Sequence, residues 1–224
     1  MRASIFVALL LFASSALAQL STTIGSAIKE GTRLCERNGT EHVSCSRTWK
    51  NADGDEEVTG GGTANANYGT LNVRAKAIID CTTSCNLSAQ TVSAANFTDT
   101  AHIQNAPASG SFFLISISLS GSGSNGNMSS AAFDLTLNNT ALCTIVADRG
   151  SCHARVPVDG PTASFGFTAE LISSVTAILH RSSGTDNEYL TLDGHISELA
   201  VVDANGNVLK DVVITTASGH KYPE

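Results

Sequence analysis

Strict alternation of apolar and polar residues, repeated in separate stretches, constrains this chain more than any other feature. Over residues 71–79, Leu71, Val73, Ala75, Ala77 and Ile79 alternate with Asn72, Arg74, Lys76 and Ile78. Over residues 113–120, Phe113, Ile115, Ile117 and Leu119 alternate with Leu114, Ser116, Ser118 and Ser120. Phe133, Leu135 and Leu137 alternate with Asp134, Thr136 and Asn138. A period of two places every apolar member on one face of a strand. Strands of this kind are half buried and belong to antiparallel sheets with one wet side. Many short strands, Gly-rich turns and no βαβ alternation predict an all-β fold: a single antiparallel β-sandwich, jelly-roll-like or Greek-key.

Turn chemistry punctuates these runs. Gly60-Gly61-Gly62 and Gly121-Ser122-Gly123-Ser124-Asn125-Gly126 read as loops by composition. Asp148-Arg149-Gly150 sits between two short β-like runs and predicts a hairpin. Asn205-Gly206 lies between residues 199–202 and 208–214 and predicts a two-residue hairpin turn. One segment is ambiguous. Phe167, Leu171, Val175 and Ile178 have helical spacing, but Phe165, Phe167, Ala169 and Leu171, then Val175, Ala177 and Leu179, alternate as in strands. Ser173-Ser174 interrupts both patterns. The β-rich surroundings favour two strands, or one bulged strand.

The first residues name a compartment. Arg2, an apolar run over residues 5–13 and the small-residue end Ala16-Leu17-Ala18 have the layout of a secretory signal peptide over residues 1–18. The run is too short to span a bilayer. Residues 19–224 are expected as one sandwich domain, with no membrane span after signal cleavage. In an exported chain, the six cysteines read as three disulfides, although six cysteines allow 15 connectivities. They fall in close couples, so the expected pairs are Cys35–Cys45, Cys81–Cys85 and Cys143–Cys152. Opposition across the Asp148-Arg149-Gly150 hairpin is the reason for the last pair. The competing reading is a metal site at Cys81 and Cys85, but no second Cys/His couple of matching spacing follows, and His153 beside Cys152 is the one hint of it.

Net charge is −7 with no Lys/Arg cluster, which argues against nucleic acid and anionic lipid as partners. The six histidines, His42, His102, His153, His180, His195 and His220, are scattered, and neither a Gly-x-Ser-x-Gly elbow nor a His-Glu-x-x-His pair occurs. No catalytic residue and no cofactor is assigned. Asn51, Asp53, Asp55 and Glu56 around Gly54 are weak calcium candidates, and Asp203, Asn205 and Asn207 around Gly206 are weaker ones, because neither loop has the closing bidentate Glu. Trp49 is the only tryptophan. An exposed Trp49 beside Tyr68 would suit sugar stacking, whereas a core Trp beside a disulfide is the commoner outcome.

Two stretches together resemble a known family. The first is Ala64-Asn65-Ala66-Asn67-Tyr68-Gly69-Thr70-Leu71, followed by Asn96-Phe97-Thr98-Asp99-Thr100. The second runs from Asp203-Ala204-Asn205-Gly206-Asn207 to Ala217-Ser218-Gly219-His220-Lys221-Tyr222. This is similar to the extracellular region of bacterial PEP-CTERM sorting-domain proteins. Those proteins normally continue into a Pro-Glu-Pro signal, an apolar span and a basic end, whereas this sequence stops at Pro223-Glu224. The resemblance implies a bacterial surface-associated or matrix-associated protein and brings no catalytic residues with it. The leading expectation is a secreted, non-catalytic protein whose partners are extracellular polysaccharide or matrix proteins. A carbohydrate-binding module and a secreted hydrolase are the alternatives. The module would need aromatics on an exposed sheet face, from only three Tyr and one Trp.

Overall fold

Two strands, far longer than the rest, organise the fold. In the computed structural model, which describes residues 18–28, 32–124 and 129–223, β5 (Thr70–Gln104) and β10 (Thr162–Val202) run antiparallel to each other along most of their length. The signal peptide expected over residues 1–18 lies, except for Ala18, outside the described residues. The other strands are β1 (Gln19–Ile28), β2 (Arg33–Gly39), β3 (His42–Lys50), β4 (Glu56–Asn67), β6 (Ser111–Gly123), β7 (Ser129–Leu137), β8 (Thr140–Ile145), β9 (Gly150–Val158) and β11 (Val213–Thr216). At 35 and 41 residues, β5 and β10 are several times the usual strand length. Each serves two leaves of a sandwich in turn.

The first leaf has the order β2-β1-β5-β10-β7-β8 and uses residues 86–104 of β5 and 162–180 of β10. The second has the order β3-β4-β5-β10-β6-β9 and uses residues 70–81 and 184–202. The hydrogen-bonded ladder is continuous, so the sandwich is one antiparallel sheet folded over on itself. The fold-over has a local cause. Ser182 pairs with Cys85 and Gly184 with Cys81, leaving residues 82–84 of β5 without partners on β10. Arg181 and Gly184 take positive φ of 52° and 121°. Such irregularities bend a strand and sharpen its twist.

Beyond the bend the leaves lie close. Thr91 donates its hydroxyl to the Lys76 carbonyl at 2.8 Å, Ser93 to that of Arg74 at 2.7 Å and Ser173 to that of Leu190 at 3.1 Å. Each bond crosses from one leaf to the other. Small inward residues, among them Ala64, Ala75, Ala77, Ala89 and Ala95, permit this approach. Toward the other side of the interior, Phe97, Phe113, Phe133 and Phe167 are fully enclosed.

The three expected disulfides are present. Cys35–Cys45 joins edge strands β2 and β3, Cys143–Cys152 joins edge strands β8 and β9, and Cys81–Cys85 spans the bend. Both edges of the sandwich are therefore cross-linked from leaf to leaf. That blunts the exposed strand edges through which sheets otherwise aggregate. The reason expected for Cys143–Cys152 was wrong: β8 pairs with β7 and β9 with β6, so this disulfide bridges two leaves and not two partners in one hairpin.

Other local expectations need correction. Gly60-Gly61-Gly62 is no loop but the middle of β4. A Cβ at Gly60 would lie 1.9 Å from Ser26 Oγ, and one at Gly62 would lie 2.1 Å from the Arg74 carbonyl. Glycine is there because the backbone has no room for a side chain, a reason that composition alone cannot separate from turn chemistry. Gly121, Ser122 and Gly123 likewise end β6, and residues 125–126 of that expected loop lie outside the described residues. Residues 165–179 form one uninterrupted strand. Asn205-Gly206 is not a two-residue turn: Asp203 and Asn207 are bonded across a five-residue loop, and only Val202 and Val208 pair beyond it. Ile214 belongs to β11, which pairs with β5. The tight two-residue turn with both residues left-handed is Asn138-Asn139, between β7 and β8, with φ of 47° and 64°.

Candidate functional site

The densest polar cluster in the interior forms at the end of the sandwich opposite the bend. Asp99, on the inward face of β5, has no exposure to solvent. Its Oδ1 accepts from the backbone N–H of Thr100 at 2.8 Å and of Ser218 at 3.0 Å. Its Oδ2 accepts from the Ser218 hydroxyl and from the Tyr222 hydroxyl, the latter at 2.8 Å. A buried carboxyl group is tolerated when its oxygens are satisfied in this way. Burial, and then the nearby Asp99 carboxylate, push the Tyr222 hydroxyl far above the ordinary phenol range, so it stays a donor.

The segment after β11 reaches Asp99 because it crosses the open end of the sandwich. Ala217 N–H bonds to the Thr100 carbonyl of the first leaf at 2.9 Å, and Leu199 N–H of the second leaf bonds to the Pro223 carbonyl at 2.7 Å. The Tyr222 ring stacks at 22° to Phe97 and meets Phe167 and His220 edge-on. Tyr68 meets Phe97 edge-on in turn. Gly69, with φ of 83°, closes the β4–β5 turn beneath them, and a Cβ there would lie 3.0 Å from His220 Nε2. Three of the sequence segments that carried the resemblance, around Tyr68-Gly69, Phe97 to Asp99 and Ser218 to Tyr222, thus meet in one clasp.

Among the described residues, two hydrogen-bonded sets combine Ser, His and a carboxylate. In the clasp, Ser218 bonds Asp99 directly, and His220 contributes only its backbone N–H to Ser218 Oγ, at 3.1 Å. On the second leaf, Ser116 Oγ lies 2.7 Å from His153 Nδ1 and donates to Glu198 at 3.2 Å. A hydrolytic relay needs the imidazole between hydroxyl and carboxylate. In both sets the serine holds the middle place. Ser116 is also fully buried.

The loop bearing Asn51, Asp53, Asp55 and Glu56 is a self-satisfied turn. Asn51 Oδ1 accepts from the N–H of Gly54 at 2.8 Å and of Glu56 at 3.2 Å. Asp55 accepts from the Asn51 amide and from the Thr83 hydroxyl, and these bonds hold its carboxyl below the usual range. Asp203 plays the same part in its loop, accepting from Asn205 and Asn207. Among the described residues, no group of three or more His, Cys, Asp or Glu side chains could hold a metal ion.

Trp49 and Tyr68 are not brought together. Trp49 pairs with Val58 near one end of β4, while Tyr68 follows Asn67 at the other end. Nine residues of strand separate those positions, or roughly 30 Å. Trp49 shares the inward parity of Val43 on edge strand β3 and is partly buried against the core. The aromatic that does face solvent is Tyr189, 38% exposed on the outer face of the second leaf. Its place was legible in the alternation of Tyr189, Thr191 and Asp193 with Leu190 and Leu192.

The three disulfides belong to an oxidising, extracellular type of environment. Among the described residues, no helix is long and apolar enough to cross a membrane. Comparison with protein-family models finds no match, and comparison with curated proteins finds no relative.

Proposed function

We propose that this chain is a secreted, non-catalytic domain of the bacterial cell surface or extracellular matrix, and that it acts by binding. The observation that carries the reading is the order of the two Ser/His/acid sets, with serine and not histidine in the middle. Neither set has a base poised between nucleophile and acid. The signal-like first residues, the three disulfides and the resemblance to PEP-CTERM ectodomains support an extracellular setting. The test is assay of the purified chain on ester, peptide and glycosidic substrates. No turnover above buffer is expected. Turnover abolished by Ser116→Ala or His153→Ala would overturn the reading. A carbohydrate-binding role is the second reading, favoured by the exposed Tyr189 on the outer face of the second leaf.

A further inference from the structure

Alternation along β3, β4, β5 and β10 lays out three consecutive cross-strand rows on the outer face of the second leaf. They are Thr48-Thr59-Ile78-Asn187, Ser46-Gly61-Lys76-Tyr189 and Ser44-Thr63-Arg74-Thr191. These rows contain two cations and no carboxylate, on a chain with 20 acidic and 13 basic residues. The nearest charges lie one row further out. Lys50 and Glu57 neutralise each other at 2.8 Å, Asp80 bonds Thr185, and Asp193 bonds Asn72. Arg74 is exposed and Lys76 half buried, and no ion pair or side-chain hydrogen bond engages either of them among the described residues.

The same place holds a trough. Ser46, Thr59, Gly61, Thr63, Arg74 and Lys76 line a depression of about 220 Å³. Gly61 forms its floor, and a Cβ there would lie 2.2 Å from the Cys45 carbonyl. Tyr189 stands directly opposite Lys76 in the ladder, on the side of β5 away from Gly61. The outer face of the first leaf has the opposite sign. There Glu170 pairs with Asp134, and burial and then Asp134 raise the Glu170 carboxyl above its usual range.

We infer that this trough is a binding site for an acidic polysaccharide, its carboxylates on Arg74 and Lys76 and a sugar face on Tyr189. The inference rests on the binding role proposed above and names its ligand class. The physical case has three parts. Free cations on an acidic protein select an anion. Hydroxyls at the trough wall match sugar hydroxyls, and the amphipathic Tyr189, across the ladder from Lys76, offers a stacking surface. A protein interface commonly has a core of large apolar and aromatic side chains, whereas the trough is lined by Gly, Ser, Thr, Arg, Lys and the disulfide-bonded Cys45. A nucleic acid would take a longer basic groove with several stacking aromatics.

The experiment is a binding titration of the purified disulfide-bonded chain with polygalacturonate, its methyl-esterified form, neutral dextran and single-stranded DNA. The expected result is saturable binding to polygalacturonate that weakens with added salt, and little to the ester or dextran. Arg74→Gln with Lys76→Gln should weaken it roughly tenfold or more, as loss of charge-assisted bonds does. Tyr189→Ala should weaken it less, and Lys210→Gln, on a remote exposed loop, should not change it. Matching melting temperatures establish that each variant is folded. No binding to polygalacturonate, equal binding by the double variant or equal binding to DNA would overturn the inference. Reducing ends released during the titration would instead overturn the non-catalytic reading, and so separate the two failures.

Discussion

The two ends of the sandwich are closed by opposite means. At the bend, β5 and β10 pass from leaf to leaf, and Cys81–Cys85 adds a covalent tie across a sequence separation of 4. At the open end no strand passes through. Short connections over residues 105–110 and 159–161 cross from leaf to leaf there, and the C-terminal segment adds a tie whose Ser218 and Tyr222 reach Asp99 over separations of 119 and 123 residues. Contacts that distant in sequence require most of the chain to be in place first, because the cost of closing the loop precedes their reward. The tie at the bend is set by local chain geometry, and the clasp at the open end is a consequence of the finished fold.

The clasp is the place to break that contrast with the largest effect. Asp99→Ala leaves the Tyr222 hydroxyl and the Ser218 hydroxyl and N–H without their acceptor in a buried site. The expected loss is about 3–5 kcal/mol, the sum of several buried donors left unpaired. Denaturant unfolding measures it, and hydrogen exchange should show residues 216–223 opening first. A loss under that of the bend disulfide would mean that the clasp is an ornament of the fold and not its tie.

Next come the edges. Replacing Cys143 and Cys152 together by Ala opens a link of sequence separation 9, and the chain-entropy relation gives about 2.5 kcal/mol. The same replacement of Cys81 and Cys85 should cost about 2 kcal/mol, because the loop it closes is shorter. Comparison of denaturation midpoints for the two double variants orders them. If the bend variant were the weaker by a wide margin, the disulfide and not the run of β5 and β10 would be what folds the sheet over.

The unequal legibility of the two ends follows from the same distances. Leu71, Val73 and Ala75 announce a strand within a few residues, and three close cysteine couples announce their own pairing. Asp99, Ser218 and Tyr222 show no local pattern that links them, and their meeting follows only from the finished fold. Gly60 to Gly62 misled for a different reason. A glycine needed for close backbone approach and a glycine needed for a turn are the same letter. Arg74, Lys76 and Tyr189 were visible as outward residues, but their convergence required the register of β4, β5 and β10. Trp49 and Tyr68 looked adjacent because the pairing that puts them at opposite ends of β4 was not yet known.

The smallest and most specific perturbation is Tyr222→Phe, which keeps the ring against Phe97 and Phe167 and removes only the hydroxyl bond to Asp99. At pH 8 it should destabilise by about 1 kcal/mol, the usual net value of one hydrogen bond. The pH dependence gives the test its sign. The folded Tyr222 hydroxyl ionises well above the reference value of 10.0, whereas in the unfolded chain it ionises near that value. Its contribution is therefore complete below pH 10 and is lost as pH rises above it, since the unfolded state then gains by releasing the proton. One unit above the unfolded value corresponds to about 1.4 kcal/mol. The advantage of the native tyrosine over phenylalanine should thus vanish near pH 11, where the two denaturation curves converge. Tyr68, whose hydroxyl is also raised by burial and then by Asp99, remains in both proteins and cancels in the difference. Parallel curves with no convergence would show that Tyr222 ionises freely in the folded state. The bond from the Tyr222 hydroxyl to Asp99 would then not hold the open end, which would be left to its aromatic packing and to the Ser218 bonds to Asp99.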